Sequence, residues 1–342
     1  IELIYWAGGN PFHHHQDLNR LSKAWRKPKA VIVHEPFWTA TAKMADIVLP
    51  VATSLERDDI GYSSAERHIV AMKRVVDPYM ESRSDYDIFA DIAQRLGKRE
   101  EFTEGRSTNE WIRHLYDECL ERARDAKLEL PEFDGFWEQG IIDLAPVDIP
   151  HTLLGDFRRD PLKNALKTPS GKIEIFSSTI DSFGYDDCAG HAKWYEPIEW
   201  LGSEKAARFP LHMLSDQPFN KLHSQLDHSS YSQDNKILGR EPVLMNLHDA
   251  NARGIVEGDL VQVFNDRGSC LAGARLSEKI ASGVVKLSTG AWFDPADPHA
   301  DLSLEKHGNP NALTLDIGAS KLSQGCSAQS CLVDVERWWG EV

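Results

Sequence analysis

At 342 residues the chain exceeds what one ordinary hydrophobic core sustains, roughly 250 to 300 residues, so two domains are expected. Its 41% hydrophobic and 27% charged residues are those of a folding, globular protein rather than a disordered or fibrous one. A net charge of -15 argues against nucleic acid and anionic membrane as partners, because both need a basic surface to displace counterions.

Taken in chain order, Ile1 to Trp6 reads as a buried strand that runs into Gly8-Gly9-Asn10-Pro11, and Gln16 to Trp25 shows helical spacing. Apolar runs at Ala30 to His34 and Asp46 to Pro50 read as further strands, and the alternation of strands with helices predicts parallel βαβ construction. Ser84 to Gly97 carries its own punctuation, with Ser84 as N-cap, Ile88, Phe89, Ile92 and Leu96 on one face, and Gly97 as the stop. Ser107 and Glu110 form a capping box for a second helix reaching about Ala126. From Pro131 to about Arg208 the pattern loosens into prolines, glycines and aromatics, with Lys172 to Phe176 alone reading as a strand, so this stretch is expected to be an irregular connection. After Phe209 the period becomes two: Leu211 to Ser215, Leu260 to Phe264, Cys270 to Leu276 and Val284 to Ser288 read as short strands, and the second half is expected to be a β-barrel. The expected division is 1–130, 131–208 and 209–342.

No apolar run approaches the roughly 20 residues that cross a bilayer, so no membrane insertion is expected and the chain reads as soluble. Cys119, Cys188, Cys270, Cys326 and Cys331 lack the close spacing of zinc or iron-sulfur ligands and read as free thiols, with no metal ligand among them. The chain opens on Ile1 without an initiator methionine or leader, which reads as a fragment lacking its N-terminal portion.

Several stretches could carry chemistry. A Gly8-Gly9 turn between strand and helix lets a phosphate approach backbone N–H groups, although such a turn is also a common structural device. His13, His14, His15, Gln16 and Asp17 form the densest polar cluster; it suits a cofactor contact or an exposed polar loop better than a metal, since adjacent imidazoles do not easily face one ion. Glu35 ends the second strand, where a carboxylate accepts hydrogen bonds from a ribose or a guanine edge, or is simply a surface acid. Arg57 could pair with a phosphate or with Asp58 and Asp59, and Asp85 lies in the first turn of a helix, where any acid is favoured. Leu222-His223-Ser224-Gln225 reads either as a ligand contact or as a polar barrel rim. The polar, glycine-bearing stretches His307 to Asn311 and Gly318 to Gly325 are loops of the kind that usually hold something. From the residues alone the reading ends at an α/β plus β protein that binds a phosphorylated ligand.

Together, YWAGGNPFHHHQDLNR (Tyr5 to Arg20), HEPFWTATAKMADIVLP (His34 to Pro50), ERDDI (Glu56 to Ile60), ESRSDYDIF (Glu81 to Phe89), TPSGKIEIFS (Thr168 to Ser177), GYDDC (Gly184 to Cys188), NKLHSQL (Asn220 to Leu226), NDRG (Asn265 to Gly268) and GAWFDP (Gly290 to Pro295) resemble the molybdopterin oxidoreductase family, in particular its dimethyl sulfoxide, trimethylamine N-oxide and biotin sulfoxide reductases. The resemblance implies a Rossmann-like α/β parallel-sheet domain followed by a six-stranded barrel, together gripping a bis(molybdopterin guanine dinucleotide) molybdenum cofactor. It implies that Gly9, Asn10, His14, Gln16, Glu35, Arg57 and Asp85 surround one guanosine and its phosphates. Gln217, His223, Ser224, Gln225, Asn311 and Gln324 would approach the pterins and the other dinucleotide.

Some positions depart from the family pattern: Glu35 stands where relatives often have aspartate, Gln217 where some have histidine, and Lys221 where an arginine is common, which loses bidentate recognition. The serine that ligates molybdenum in this group belongs to the N-terminal part, so no catalytic or metal-ligating residue is expected here and the segment alone is expected to be inactive. The implied reaction is oxygen-atom transfer from a small S-oxide or N-oxide, with electrons from a donor protein and the missing N-terminal part completing the enzyme. The alternatives are a non-catalytic, degenerate module of a larger complex, or a formate dehydrogenase or nitrate reductase relative. The compartment, periplasm or cytoplasm, stays open.

Overall fold

The computed structural model describes residues 1–63, 66–144, 152–326 and 330–340. Strands β1 (Leu3–Ala7), β2 (Ala30–Glu35) and β3 (Ile47–Pro50) form a parallel sheet in that order. Helices α1 (Pro11–His14), α2 (Leu18–Trp25) and α3 (Ala40–Lys43) connect them, so the expected alternation of strand and helix is present. Asp17, itself left-handed at φ 47, opens α2 by accepting the Arg20 N–H, and Leu18, Ser22 and Trp25 follow at helical spacing on the buried face. The chain groups into two compact units: Ile1–Ile32, Trp38–Ile47 and Glu174–Val342 form the first, and Val33–Phe37 with Val48–Ile173 the second.

In the second unit β4 (Asp59–Gly61), β5 (His68–Met72) and β6 (Ile141–Asp143) make an antiparallel sheet. Its helices are α4 (Asp85–Arg95), α5 (Arg99–Thr103), α6 (Thr108–Asp125) and α7 (Phe133–Gln139). Ser84 caps α4 and the Ser107/Glu110 pair closes a reciprocal capping box on α6, which satisfies N–H groups that a helix start leaves orphaned. Tyr116 and Phe136 stack with centroids 4.4 Å apart beneath Ile69, Leu120 and Ile142, and the Tyr116 hydroxyl donates to the Pro131 carbonyl at 2.8 Å.

Two expectations are corrected. The stretch after Pro131 begins as ordered structure, because α7 and β6 supply Phe136 and Ile142 to that core. Lys172–Phe176, expected as a strand, forms none: its alternation is present, but Ile173 and Ile175 are 66% and 88% exposed and pair with no strand edge.

The first unit is built on β7 (Leu211–Leu214), β8 (Pro242–Met245), β9 (Leu260–Asn265), β10 (Gly268–Leu276), β11 (Val284–Leu287), β12 (Leu304–Glu305) and β13 (Ser330–Arg337). The sequence β10-β8-β11-β7-β13-β9 returns to β10, so six strands close into a mixed barrel in which β10–β8 and β11–β7 are parallel, and β12 adds a short parallel pairing to β10. Closure leaves the ring without exposed edges. Period two is kept on three of the four strands read from sequence, where Leu211 and Met213, Val261 and Val263, and Val285 and Leu287 all point into the same core, whereas β10 is buried in succession from Cys270 to Ala274.

Past β12 the chain turns on one carboxylate. Glu305 is fully buried and accepts the backbone N–H groups of Gly308 and Asn309 at 2.7 Å, His307 at 3.0 Å and Asp294 at 3.2 Å. Burial pushes its carboxyl up to about 7 against the pull of these donors. Glu305→Gln turns one acceptor oxygen into a donor facing donors. Chemical denaturation should read a loss of about 2 to 4 kcal/mol, and a loss under about 0.5 kcal/mol would mean that the loop does not depend on this group.

Candidate cofactor site

Within the first unit, α1 and two distant loops converge. Gly8 and Gly9 both take positive φ (90° and 76°), a turn that side chains disfavour, and it delivers Asn10 and Pro11 to the start of α1. Thr41 donates to the Asn10 side-chain oxygen. Phe12 stacks on Phe293 with centroids 5.8 Å apart and planes 9° from parallel. Asn309 donates to the Ala291 carbonyl at 2.9 Å, and Asn311 donates to the His13 carbonyl at 3.2 Å while its own side-chain oxygen accepts from Thr314 at 3.0 Å. The loop that Glu305 shapes is thereby tied to the glycine turn that begins the chain.

The three adjacent imidazoles diverge. His14 and His15 are exposed, whereas His13 is 5% exposed, with its ring 5.3 Å from that of Trp292. Among the described residues neither ring nitrogen of His13 has a hydrogen-bond partner. Each such buried nitrogen costs about 1 to 3 kcal/mol relative to a paired one. Burial lowers the His13 imidazole to about 4, with nearby His14 and His228 working in the same direction against Asp227. His14 is also lowered, by burial first and then by His15 and His223, which puts His223 close to the histidine run.

The loop after β7 supplies the remaining groups. Gln217 and His223 share a hydrogen bond at 3.3 Å, and the Ser224 carbonyl accepts the Trp292 indole N–H at 2.8 Å. Gln225 is exposed and closes a tight turn by donating its backbone N–H to Leu222. Lys221 anchors this loop from beneath: its ammonium is fully buried, 2.7 Å from both Asp227 and Glu241, while Lys236 also pairs with Asp227. Two cations and two anions thus balance in the interior, the condition under which buried charge is tolerated. Lys221 therefore holds the loop and does not reach outward. His223 adopts φ 52, and Gly290, at φ 103, passes so close that a Cβ there would lie 2.0 Å from the His223 carbonyl oxygen.

Gln16 donates to the His14 carbonyl at 3.2 Å and to the Cys326 sulfur at 2.7 Å. Gln324, left-handed at φ 56, folds its side-chain amide onto the carbonyls of Ser320 and Lys321 at 3.0 and 3.3 Å. Its loop is fastened by Lys321, which meets Asp186 at 2.7 Å and Asp187 at 2.9 Å, so the GYDDC stretch acts as the anchor of the second glycine-bearing loop.

In the second unit Asp85, the first residue of α4, lies 2.6 Å from the buried imidazole of His34, whose ring is 4.9 Å from Phe89. Glu35 follows as the last residue of β2. Arg57 pairs with Asp59, the neighbour-pairing alternative for this residue, and lines a cavity of about 590 Å³ together with Arg74, Arg83, Ser84, Asp87 and Asn109. Of the members of these networks, His13 was named from sequence only as part of the histidine run, and His34 and Trp292 only inside longer motifs. The histidine run contained the signal for His13, but only burial separates it from His14.

The model of the Molybdopterin oxidoreductase family matches residues 1–95, and that of the Molydopterin dinucleotide binding domain matches residues 211–332. The chain is thus similar to molybdopterin oxidoreductases over residues 1–95 and to their dinucleotide-binding domain over residues 211–332. Among its relatives it is 49% identical to the dimethyl sulfoxide/trimethylamine N-oxide reductase of Cereibacter sphaeroides over 99% of its length and 42% of that protein's. It is 48% identical to the biotin sulfoxide reductase of the same organism, over 100% of the chain and 45% of the relative. With the trimethylamine-N-oxide reductase of Haemophilus influenzae it shares 44%, over 99% of the chain and 42% of the relative. The chain thus spans less than half the length of these relatives. The acetylene hydratase of Pelobacter acetylenicus shares the fold, with a TM-score of 0.71 at 18% identity, over 98% of the chain and 44% of that structure. Among the described residues no helix is long and apolar enough to cross a membrane.

Two outcomes test the geometry. Gly290→Ala should force the His223 loop aside, and amide exchange over residues 221–225 should accelerate at least tenfold, by analogy with other overpacked sites; unchanged exchange would show that the close approach is not a constraint. His13 titrates near 4 when folded against 6.5 ordinarily, so below pH 6.5 the unfolded chain binds a proton that the folded one refuses, and stability falls towards pH 4. His13→Phe removes that loss, and its stability relative to the parent should rise by about 3 kcal/mol between pH 6.5 and 4. A pH-independent difference would contradict the buried neutral imidazole.

Proposed function

We propose that this chain is the C-terminal, cofactor-gripping part of a molybdenum enzyme that reduces S-oxides or N-oxides, and that the group it grips is bis(molybdopterin guanine dinucleotide). The observation that carries the reading is a run of polar side chains about the exposed His14, where Gln16 bonds its carbonyl and His223, paired with Gln217, lies near its ring, next to His13, whose carbonyl Asn311 holds. Such a constellation fits a ligand rich in hydrogen-bonding edges and phosphates, and the identities of 44% to 49% with oxide reductases supply the substrate class. The three-stranded parallel sheet is read as part of a Rossmann-like dinucleotide-binding domain, and residues 209–342 as the barrel domain that completes the grip.

When bound, the cofactor supplies the oxygen-atom and electron transfer. The chain's own residues bind and orient it. Gly9, Asn10, His14 and Gln16 present a glycine turn and polar side chains to dinucleotide phosphates. Gln217, His223, Ser224, Gln225, Asn311 and Gln324 offer donors and acceptors to the pterin side. In the second unit, Glu35, Asp85 and Arg57 offer two carboxylates and a guanidinium suited to ribose, guanine and phosphate. The oxide substrate, an electron-donor protein and the N-terminal part of the enzyme complete the proposal.

The test is to express the complete coding sequence in a host that makes the molybdenum cofactor and to measure molybdenum, guanine and pterin content with reduced-dye oxidation on a panel of S-oxides and N-oxides. Stoichiometric metal, two guanine dinucleotides per metal and turnover on at least one oxide are expected. A folded protein without metal or turnover would sink the proposal in favour of a degenerate, structural module.

A further inference from the structure

We propose that the exposed face of residues 217–238 is an interface core that stays covered in the working protein, and that what covers it is the remaining polypeptide of the full-length enzyme; this rests on reading the chain as one part of a longer enzyme, not on the identity of the cofactor. Phe219, Leu222, Leu226, Tyr231 and Leu238 are all 58% to 79% exposed. Phe219 and Tyr231 meet edge to face with ring centroids 6.1 Å apart. The charged side chains go the other way. Between residues 217 and 233 the only Asp, Glu, Lys or Arg residues are Lys221 and Asp227, and both are buried. A surface stretch without such charges is unusual in a chain whose residues are 27% charged, and depletion of charge marks the core of an interface.

Two of the leucines are poorly suited to a free surface. Leu226 and Leu238 take φ 68 and 49, the left-handed region in which asparagine or glycine costs less. Each carries backbone strain and exposed apolar area at once, and covering the side chain offsets both. The segment is also held in shape. Lys221 and Lys236 clamp Asp227 from beneath, the Ser232 hydroxyl donates to the Asn220 carbonyl at 2.9 Å, and the Gln233 amide donates to the Asp227 carbonyl at 2.8 Å. An apolar surface that is already ordered loses little entropy on association.

The chemistry selects the occupant. A transient partner such as an electron donor would leave the leucines in water between encounters, whereas strongly apolar faces belong to permanent contacts. The chain spans 42% to 45% of the length of its relatives, so more than half of a protein of their length lies outside it. His223, Ser224 and Gln225 lie in the same segment, and polypeptide that packs on Leu222 and Leu226 also closes the ground beside them.

The experiment uses the complete protein, prepared from a host without the cofactor and from one that makes it. In both preparations a Phe219→Cys thiol should react with maleimide at least about tenfold more slowly than in urea, at every protein concentration, because a covered thiol reacts only on local opening; mass spectrometry of the peptide reads the rate. Leu226→Asn, which relieves the backbone, should lower the melting midpoint, although on a free surface it would raise it. A thiol at position 219 that reacts at nearly the unfolded rate overturns the proposal, as does a Leu226→Asn protein that melts at or above the parent. Protection lost on dilution assigns the face to a second copy of the chain, and protection confined to cofactor-loaded protein assigns it to the cofactor; either overturns it too. Protection without pterin uptake keeps the proposal and overturns the molybdopterin reading alone.

Discussion

The first unit depends on a single buried carboxylate. Glu305 gathers four backbone N–H groups from residues 294 and 307–309, and in doing so fixes the loop from which Asn309 and Asn311 reach across to α1. Without it those amides would be buried donors lacking acceptors, and the loop would need water where the barrel wall now stands. The same logic recurs at Glu199, which burial pushes up but which Arg267, Lys205 and the Leu332 N–H hold down at about 2. Arg267 in turn gives its backbone carbonyl to Asn19 on α2. Polar groups, more than apolar ones, register the N-terminal motif against the barrel.

Much of this was legible in the chain. Helix boundaries announced themselves through side-chain caps, because Ser84, Ser107 and Glu110 are local devices whose partners lie three residues away. Period two revealed β7, β9 and β11, each half-buried on a closed wall; β10 is a strand where one was read, but it is buried in succession from Cys270 to Ala274. β8 and β13 escaped: β8 (PVLM) is apolar throughout and opens on proline, so its sequence shows no alternation although its burial does, and β13 carries Cys331, Leu332 and Val333 as one continuous buried run. Lys172–Phe176 failed in the opposite sense, since alternation without a neighbouring strand does not make a sheet.

The candidate residues divide in the same way. Those in glycine-bearing motifs could be named from sequence, since a turn and its polar neighbours are contiguous. What contiguity does not reveal is which of three successive histidines turns inward, or that Lys221, expected only to lose an arginine's bidentate recognition, pairs with Asp227 and Glu241 beneath its loop. Both are decided by residues outside the motif itself, from six positions away for Asp227 to 298 for Asn311.

That separation carries a consequence for biosynthesis. The Asn311–His13 and Asn309–Phe12 contacts close spans of 298 and 297 residues, and the barrel is sealed only when β13 pairs with both β7 and β9. A ribosome must therefore release the chain from Phe12 to Asn311 before these contacts exist, and closing so long a loop is slow relative to local helix formation. Any ligand held by α1 and the 307–311 loop together is acquired only after both segments have left the ribosome and met.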